Sequence, residues 1–342
     1  MVRIKDVAKK ANVSTATVSR VLSKPDTVKE ETIKKVLEVI KELNYQPNAL
    51  ARQLRRLETK TILVVVPDIT NTFFSKVLRG IESVAVASGY QVLLVDAAND
   101  VERETGYLNI LRQRKADGLV LLTARMKADM VVTIAREYPV VLACEYIEGS
   151  NIPSISIDNV SAARKATVHL INLDHKRIGF ISGPLNDVVG QDRLKGFYQA
   201  MAQYNLMVEP VLVQEGNFSY ECGYNIMMKF LALSNTPTAV FAANDEMAFG
   251  AIKAIKSKGL SVPHDISVMG FDDIKFSSII EPALTTIAQP AFDIGTKAME
   301  LLIRLMNKEA IEKSQYILED QLIIRDSCSK CTLREDKLPF KS

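Results

Sequence analysis

Apolar residues Ile4, Val7, Ala8 and Ala11 recur at i, i+3, i+4 and i+7, the spacing that lines one face of a helix, so a short amphipathic helix is predicted from Ile4 to Ala11. The pattern breaks at Asn12, Val13 and Ser14. Ser14 suits the N-cap of a second helix running from Thr15 to about Leu22, because its hydroxyl can accept a backbone N–H that the first turn leaves unpaired. Val18, Val21 and Leu22 form the inward stripe of that helix. A third helix is predicted from Glu30 to Leu43, with Ile33, Val36, Leu37 and Ile40 inward and lysines outward. Pro47 disfavours helix at the residue before it and ends the module near residue 46. The following segment, Asn48 to Leu54, reads as about two helical turns, too short to hold in water by itself.

From Thr61 the rhythm changes to short β-branched runs separated by amphipathic stretches: TILVVVP, a helix to about Gly89, YQVLLVDAA, another helix, DGLVLLTA and PVVLAC. Continuously apolar strands alternating with helices indicate parallel sheets covered on both faces, an α/β architecture. The pattern restarts after Asp158 with a helix, then RIGFISG, a helix after Gly190, a strand at 211 to 215, TAVFAAN and ISVMGFDD. The stretch from Ala291 to Met306 and the run LEDQLIIRD imply crossings back from a second lobe to the first. Two doubly wound lobes enclose a cleft beyond the carboxyl ends of their strands, where ligands of such sheets bind. The organisation expected is therefore a small three-helix module at 1–46, a hinge and linker at 47–60, a two-lobed domain at 61–327 and a polar tail at 328–342.

Charge sharpens this division. Residues 1 to 60 hold 14 Lys and Arg against 7 Asp and Glu, leaving 29 against 33 for the rest of a chain whose net charge is +3. A basic module on a mildly acidic body is the footprint of a protein that meets phosphates with one domain. No apolar run approaches a membrane span and the N-terminus lacks the apolar core of a secretory signal, so a cytoplasmic protein without membrane contact is expected.

Two short helices joined by a tight turn make a helix-turn-helix, whose second helix lies in the major groove. The string IKDVAKKANVSTATVSRVLSKPDTV resembles the DNA-binding module of the LacI/GalR repressors almost position by position. By that resemblance Thr15, Ala16 and Arg20 read base edges, while Ser14, Thr17 and Ser19 hold phosphates. The chemistry agrees, since Arg can bond guanine through two hydrogen bonds and Thr or Ala can meet a thymine methyl. The resemblance also makes PNALARQL a hinge helix that pairs with its copy in a homodimer: Asn48, Ala51 and Arg55 contact DNA and Leu54 wedges into the minor groove of double-stranded operator DNA.

The body, to about Asp326, is similar to the two-lobed periplasmic-binding-protein fold through which this family senses its effector, with HKRIGFISGP, DRLKGF, AANDEMAFGA, SVMGFDDI and PALTTIAQP as the matching strings. Carried over, Phe74, Asp158, Arg193, Phe218, Asn244 and Asp272 fall on effector-contacting positions. Their polar groups suit hydroxyls, and the two phenyl rings can stack on a base or a sugar face. The resemblance is strongest to nucleoside-responsive members, which favours a neutral nucleoside such as cytidine and leaves a sugar as the alternative. Asp187 stands where purine-binding relatives carry an arginine, and a carboxylate there disfavours an anionic ligand.

Enzyme chemistry finds no footing: G-x-G-x-x-G, G-x-x-x-x-G-K-[ST] and G-x-S-x-G are absent, and His169, His175 and His264 lie far apart in sequence. No cofactor or metal is expected. Of the four cysteines only Cys328 and Cys331 form a C-x-x-C pair, in what reads as a dispensable tail without a second pair or nearby histidine. That tail also lacks leucine heptads, which makes a dimer the expected assembly. Leu54→Ala is expected to weaken operator binding while leaving effector affinity unchanged; operator titration of the variant at fixed salt checks it, and unaltered operator affinity contradicts the wedge.

Overall fold

The computed structural model describes residues 2–45 and 58–331. The chain divides into two compact units, Met1–Thr59 and Lys60–Ser342.

The first unit contains α1 (Ile4–Lys10), α2 (Thr15–Ser23) and α3 (Glu30–Glu42). Asn12, at φ 52°, makes the turn between α1 and α2 in the left-handed region that asparagine tolerates. Ser14 then caps α2 by accepting the Thr17 N–H at 3.0 Å. Val7, Val18 and Val36, one from each helix, are fully buried at the centre. The inward stripe of α3 differs from expectation at one position: Leu37 is exposed and Val39 is buried. Val39 lies three residues beyond Val36, on the same face, whereas Leu37 is turned about 100° away.

In the second unit the first lobe is built from β1 (Thr61–Val66), α4 (Phe73–Ala87), β2 (Gln91–Asp96), α5 (Val101–Arg112), β3 (Gly118–Leu121), α6 (Ala128–Glu137), β4 (Val140–Ala143) and β5 (Ser154–Ile157). The second lobe contains α7 (Asn159–Asn172), β6 (Ile178–Ser182), α8 (Val188–Gln203), β7 (Val213–Glu215), α9 (Tyr220–Leu231), β8 (Ala239–Ala242), α10 (Asp245–Ser257), β9 (Ser267–Asp272) and β10 (Thr285–Ala288). The chain then returns to the first lobe as α11 (Ala291–Met306) and β11 (Gln315–Leu318), and ends in the second as β12 (Gln321–Ile323). Each sheet has six strands, in the orders β11-β5-β4-β3-β1-β2 and β12-β10-β9-β8-β6-β7. All pairings are parallel except β10 with β12.

The apolar runs are buried on both faces, as parallel sheets require. Ile62, Val64 and Val120 pack against α4 and α11, while Leu63, Val65 and Leu119 pack against α5 and α6 on the opposite side. The second lobe buries Phe180 and Phe241 in its own core, with Phe180 stacked on Phe197 of α8 at 4.8 Å.

Three local expectations change. The helix expected after Gly190 begins at Val188, so Gly190 lies inside α8, where a Cβ would fall 2.2 Å from the Pro184 carbonyl oxygen. The strand expected at 211 to 215 starts at Val213, after a 3₁₀ turn over Pro210–Leu212 in which proline cannot donate to a ladder. Residues 328–331, expected to open the polar tail, are integrated into the second lobe. The Cys328 thiol donates to the Val268 carbonyl at 3.2 Å, the Cys331 N–H donates to Leu173 at 2.7 Å, and burial pushes the Cys328 thiol up to about 12. Ser327, fully buried, anchors this segment: its hydroxyl accepts the Thr285 N–H at 2.8 Å and donates to the Val268 carbonyl at 2.6 Å. Ser327→Ala therefore leaves the buried Thr285 N–H without its acceptor and the Val268 carbonyl with the Cys328 thiol alone, and is expected to cost about 2 kcal/mol. A thermal melt should show Tm lower by about 5 °C, and an unchanged Tm contradicts the anchoring role.

Candidate DNA-reading face and effector cleft

On α2 the side chains of Thr15, Ala16 and Arg20 are exposed, and those of Thr17 and Ser19 are half-buried. Ser14 and Thr17 bond each other through their hydroxyls at 2.9 Å while Ser14 caps the helix, so both serve the local fold as well as facing outward. The four other DNA-contact candidates, Asn48, Ala51, Leu54 and Arg55, lie outside the described residues.

Between the two lobes of the second unit lies a cavity of about 360 Å³, within the ~300–1,000 Å³ range of small-molecule sites. Phe74, Arg193, Phe218, Asn244 and Asp272 all line it. Asp158 does not. Its exposed carboxylate accepts the Ser161 N–H at 2.9 Å and caps α7, a local duty the sequence pattern shares with ligand contact.

Several of these side chains are held before any ligand arrives. Asn244 caps α10 by accepting the Met247 N–H at 3.0 Å and donates from its amide to the Phe218 carbonyl at 2.9 Å. Phe218, at φ 67°, lays its ring against Gly183, where a Cβ would fall 2.1 Å from the ring. Arg193 donates to Asn159 at 3.0 Å and to the Ala243 carbonyl at 2.5 Å, lies 3.7 Å over the Phe271 ring and stands 3.6 Å from Asp272. Asp272 also accepts from Gln289 at 2.7 Å. Burial raises the Asp272 carboxyl to about 6, against the opposing pull of Arg193 and Gln289.

A second polar cluster, centred on Arg125 and Glu145, escaped the sequence reading. Arg125 donates to Asn99 at 2.7 Å within its own lobe and to Asp187 of the other lobe at 3.0 Å. Glu145 accepts the Ala124 N–H at 3.0 Å. Burial, reinforced by the Asp187 charge, raises Glu145 to about 8; burial alone dominates the rise of Glu104, behind Arg125, to about 7. Asp187 is also raised, by burial first, with Arg125 opposing. Arg125 and Glu145 belong to no recognisable string, yet each directly follows a strand end, at β3 and β4, which is where open α/β sheets place ligand contacts. Position along the topology was the available signal.

A helix-turn-helix unit joined in one chain to a two-lobed domain with a cleft between its sheets defines a ligand-binding transcription regulator. Residues 3–48 match the model of bacterial regulatory proteins of the lacI family, and residues 167–328 that of the periplasmic binding protein-like domain. The transcriptional repressor CytR of Escherichia coli (strain K12) is 41% identical over 95% of both chains. Catabolite control protein A of Priestia megaterium is 38% identical over 95% of this chain and 99% of its own. A crystal structure of the lac repressor dimer bound to operator and the anti-inducer ONPF superposes with a TM-score of 0.87 at 31% identity, covering 96% of this chain and 99% of that one. The chain belongs to the LacI family and is a DNA-binding transcriptional repressor. Among the described residues no helix is long and apolar enough to cross a membrane.

The cleft carboxyls make stability depend on pH. Glu104 and Glu145 hold protons in the fold that the unfolded chain releases above about 4.5, so their contribution is present at low pH and is lost as pH rises through about 7 and about 8. His169 and His175, lowered by burial, act oppositely, and their contribution is lost as pH falls below 6.5. Between pH 6.5 and 9 the ligand-free chain should therefore melt at progressively lower temperature, with Glu145→Gln flattening the upper part of the decline. A profile flat across this range contradicts protonated carboxyls in the cleft.

Proposed function

We propose that this repressor binds a pseudo-palindromic operator as a homodimer and that a neutral nucleoside, cytidine foremost, controls it through the interlobe cleft. The observation that carries the effector reading is the cavity wall: two phenyl rings, Phe74 and Phe218, accompany the polar groups of Arg193, Asn244, Asp272 and Gln289 in one space. Aromatic faces suit a planar base, and the polar groups suit ribose hydroxyls. The paired Asp187 carboxylate disfavours a phosphate, which sets nucleosides above nucleotides. The similarity to CytR points the same way.

On the DNA side, Thr15, Ala16 and Arg20 read base edges while Ser14, Thr17 and Ser19 meet phosphates, fixing register without reading sequence. Asn48, Ala51, Leu54 and Arg55 form the hinge contacts. Effector binding biases the state of the dimer that holds the hinge segments on DNA, and by linkage operator changes effector affinity by the same factor.

A sugar effector is the second reading, favoured by the hydroxyl-matching set Arg193, Asp272 and Asn244. Thermal shift of the full chain against nucleosides, free bases and simple sugars separates the two. A ligand that binds only the folded state raises stability by about 2.7 kcal/mol at a concentration of 100 Kd. A shift with cytidine or adenosine and none with sugars is expected, whereas a shift with a sugar alone replaces the nucleoside reading and leaves the repressor intact.

A further inference from the structure

Within the cleft, the ion pair between Arg125 and Asp187 is incomplete. Asp187 Oδ2 accepts from the guanidinium at 3.0 Å, but Oδ1 has no partner although the side chain is 2% exposed. Arg125 Nε is likewise buried and unpartnered. Both residues line the cavity, as does Glu145. A buried carboxylate oxygen without a donor has lost its hydration uncompensated, which a ligand donor placed there restores.

We propose that Asp187 and Glu145 are specificity determinants of the cleft, selecting a nucleobase edge that carries an exocyclic amino group over the corresponding oxo base. The proposal rests on the nucleoside reading above and names which members of that class fit. An ionised carboxylate only accepts hydrogen bonds. An amino group satisfies Asp187 Oδ1, whereas the oxygen of an oxo base sets lone pairs against it. Glu145 supplies the second contact: with Oε2 accepting from Ala124 and its carboxyl protonated at neutral pH, its O–H can donate to the ring nitrogen beside the amino group. That nitrogen carries a lone pair in cytosine and adenine and a proton in uracil and hypoxanthine. Glu104 on α5, Arg125 after β3 and Asp187 ahead of α8 all act on the Glu145 charge. The Cys144 thiol beside Glu145 feels the charges of Glu145, Asp272 and Arg193. Above about pH 8 Glu145 ionises and its contact with the ring nitrogen becomes repulsive.

Calorimetric titration of the full chain with cytidine, uridine, adenosine and inosine, at pH 6.5 and about pH 8, where the oxo nucleosides keep their ring protons, tests this, with melting curves verifying the fold of each variant. At pH 6.5 each amino nucleoside should bind at least about tenfold tighter than its oxo counterpart, and the preference should shrink at about pH 8. Asp187→Asn, whose amide can rotate to offer donor or acceptor, should bring the ratio to within about threefold. Glu145→Gln should keep the ratio and lose its pH dependence, because its amide donates at every pH; this variant and the parent ratio decide the matter if Asp187→Asn does not fold. Nucleoside binding without discrimination, or a ratio unchanged in Asp187→Asn, overturns the proposal alone. Failure of every nucleoside to bind overturns the nucleoside reading together with it.

Discussion

The close approach of α4 and α11 decides whether the larger unit can exist as two lobes. A Cβ at Gly295 would fall 2.0 Å from the Val77 carbonyl oxygen, and one at Gly80 would fall 2.1 Å from that of Phe292, so the helices meet backbone to backbone at two glycines. Together they cover one face of the first sheet, burying Ile62, Val64 and Val120. Because α11 follows β10 of the second lobe, the first lobe completes its core only after the chain has passed through the second. Contacts of such long sequence separation carry a loop-closure cost that slows folding, and α11 is where that cost is met.

The elements that sequence exposes well are those whose local signal and tertiary role coincide. TILVVVP and ISVMGFDD are rich in apolar residues and form interior strands of their sheets, and Ser14 caps the helix it was expected to cap. Where a residue serves two purposes the pattern is silent about which one prevails. Asp158 is both a strand-end acid and the cap of α7, and its side chain accepts the Ser161 N–H. Strand β5, with the polar alternation SISI, escapes a search for apolar runs because Ser154 and Ser156 are buried, the former bonded to the Ser314 carbonyl. Cys328 appears in a stretch of polar letters, yet it is held by the β9 backbone, a contact 60 residues distant in sequence. The candidate DNA contacts Ser14 to Arg20 can be named from sequence because they fall on the cap and body of one short helix. The cleft is assembled from loops more than a hundred residues apart, so strings identify only the members that lie inside conspicuous motifs.

Burial gives the cleft its chemical character. Its carboxyls, Glu145, Asp187 and Asp272, are raised in each case chiefly by loss of water, with the two arginines opposing. The arginines are themselves committed: Arg193 to Asn159, Ala243 and Phe271, Arg125 to Asn99 and Asp187. Such a wall offers directional hydrogen bonds and, with Asp68, Glu221 and Glu246 also on it, no surplus of positive charge to attract an anionic ligand. The rigidity of the rings has the same origin, since Phe218 is held by Asn244 behind it and by the absence of a side chain on Gly183.

The backbone passes between the lobes at three places: from β5 into α7, from β10 into α11, and from β11 to β12. A single covalent strand would let the lobes swivel, and two would still permit twisting about the line that joins them. Three side by side act as the spine of a book, resisting both sliding and twisting and leaving essentially one soft coordinate. The pair formed by Arg125 and Asp187 adds a non-covalent tie between the lobes at the wall of the cleft. A change in that angle is shared at once by both sheets, because all three crossings run between them.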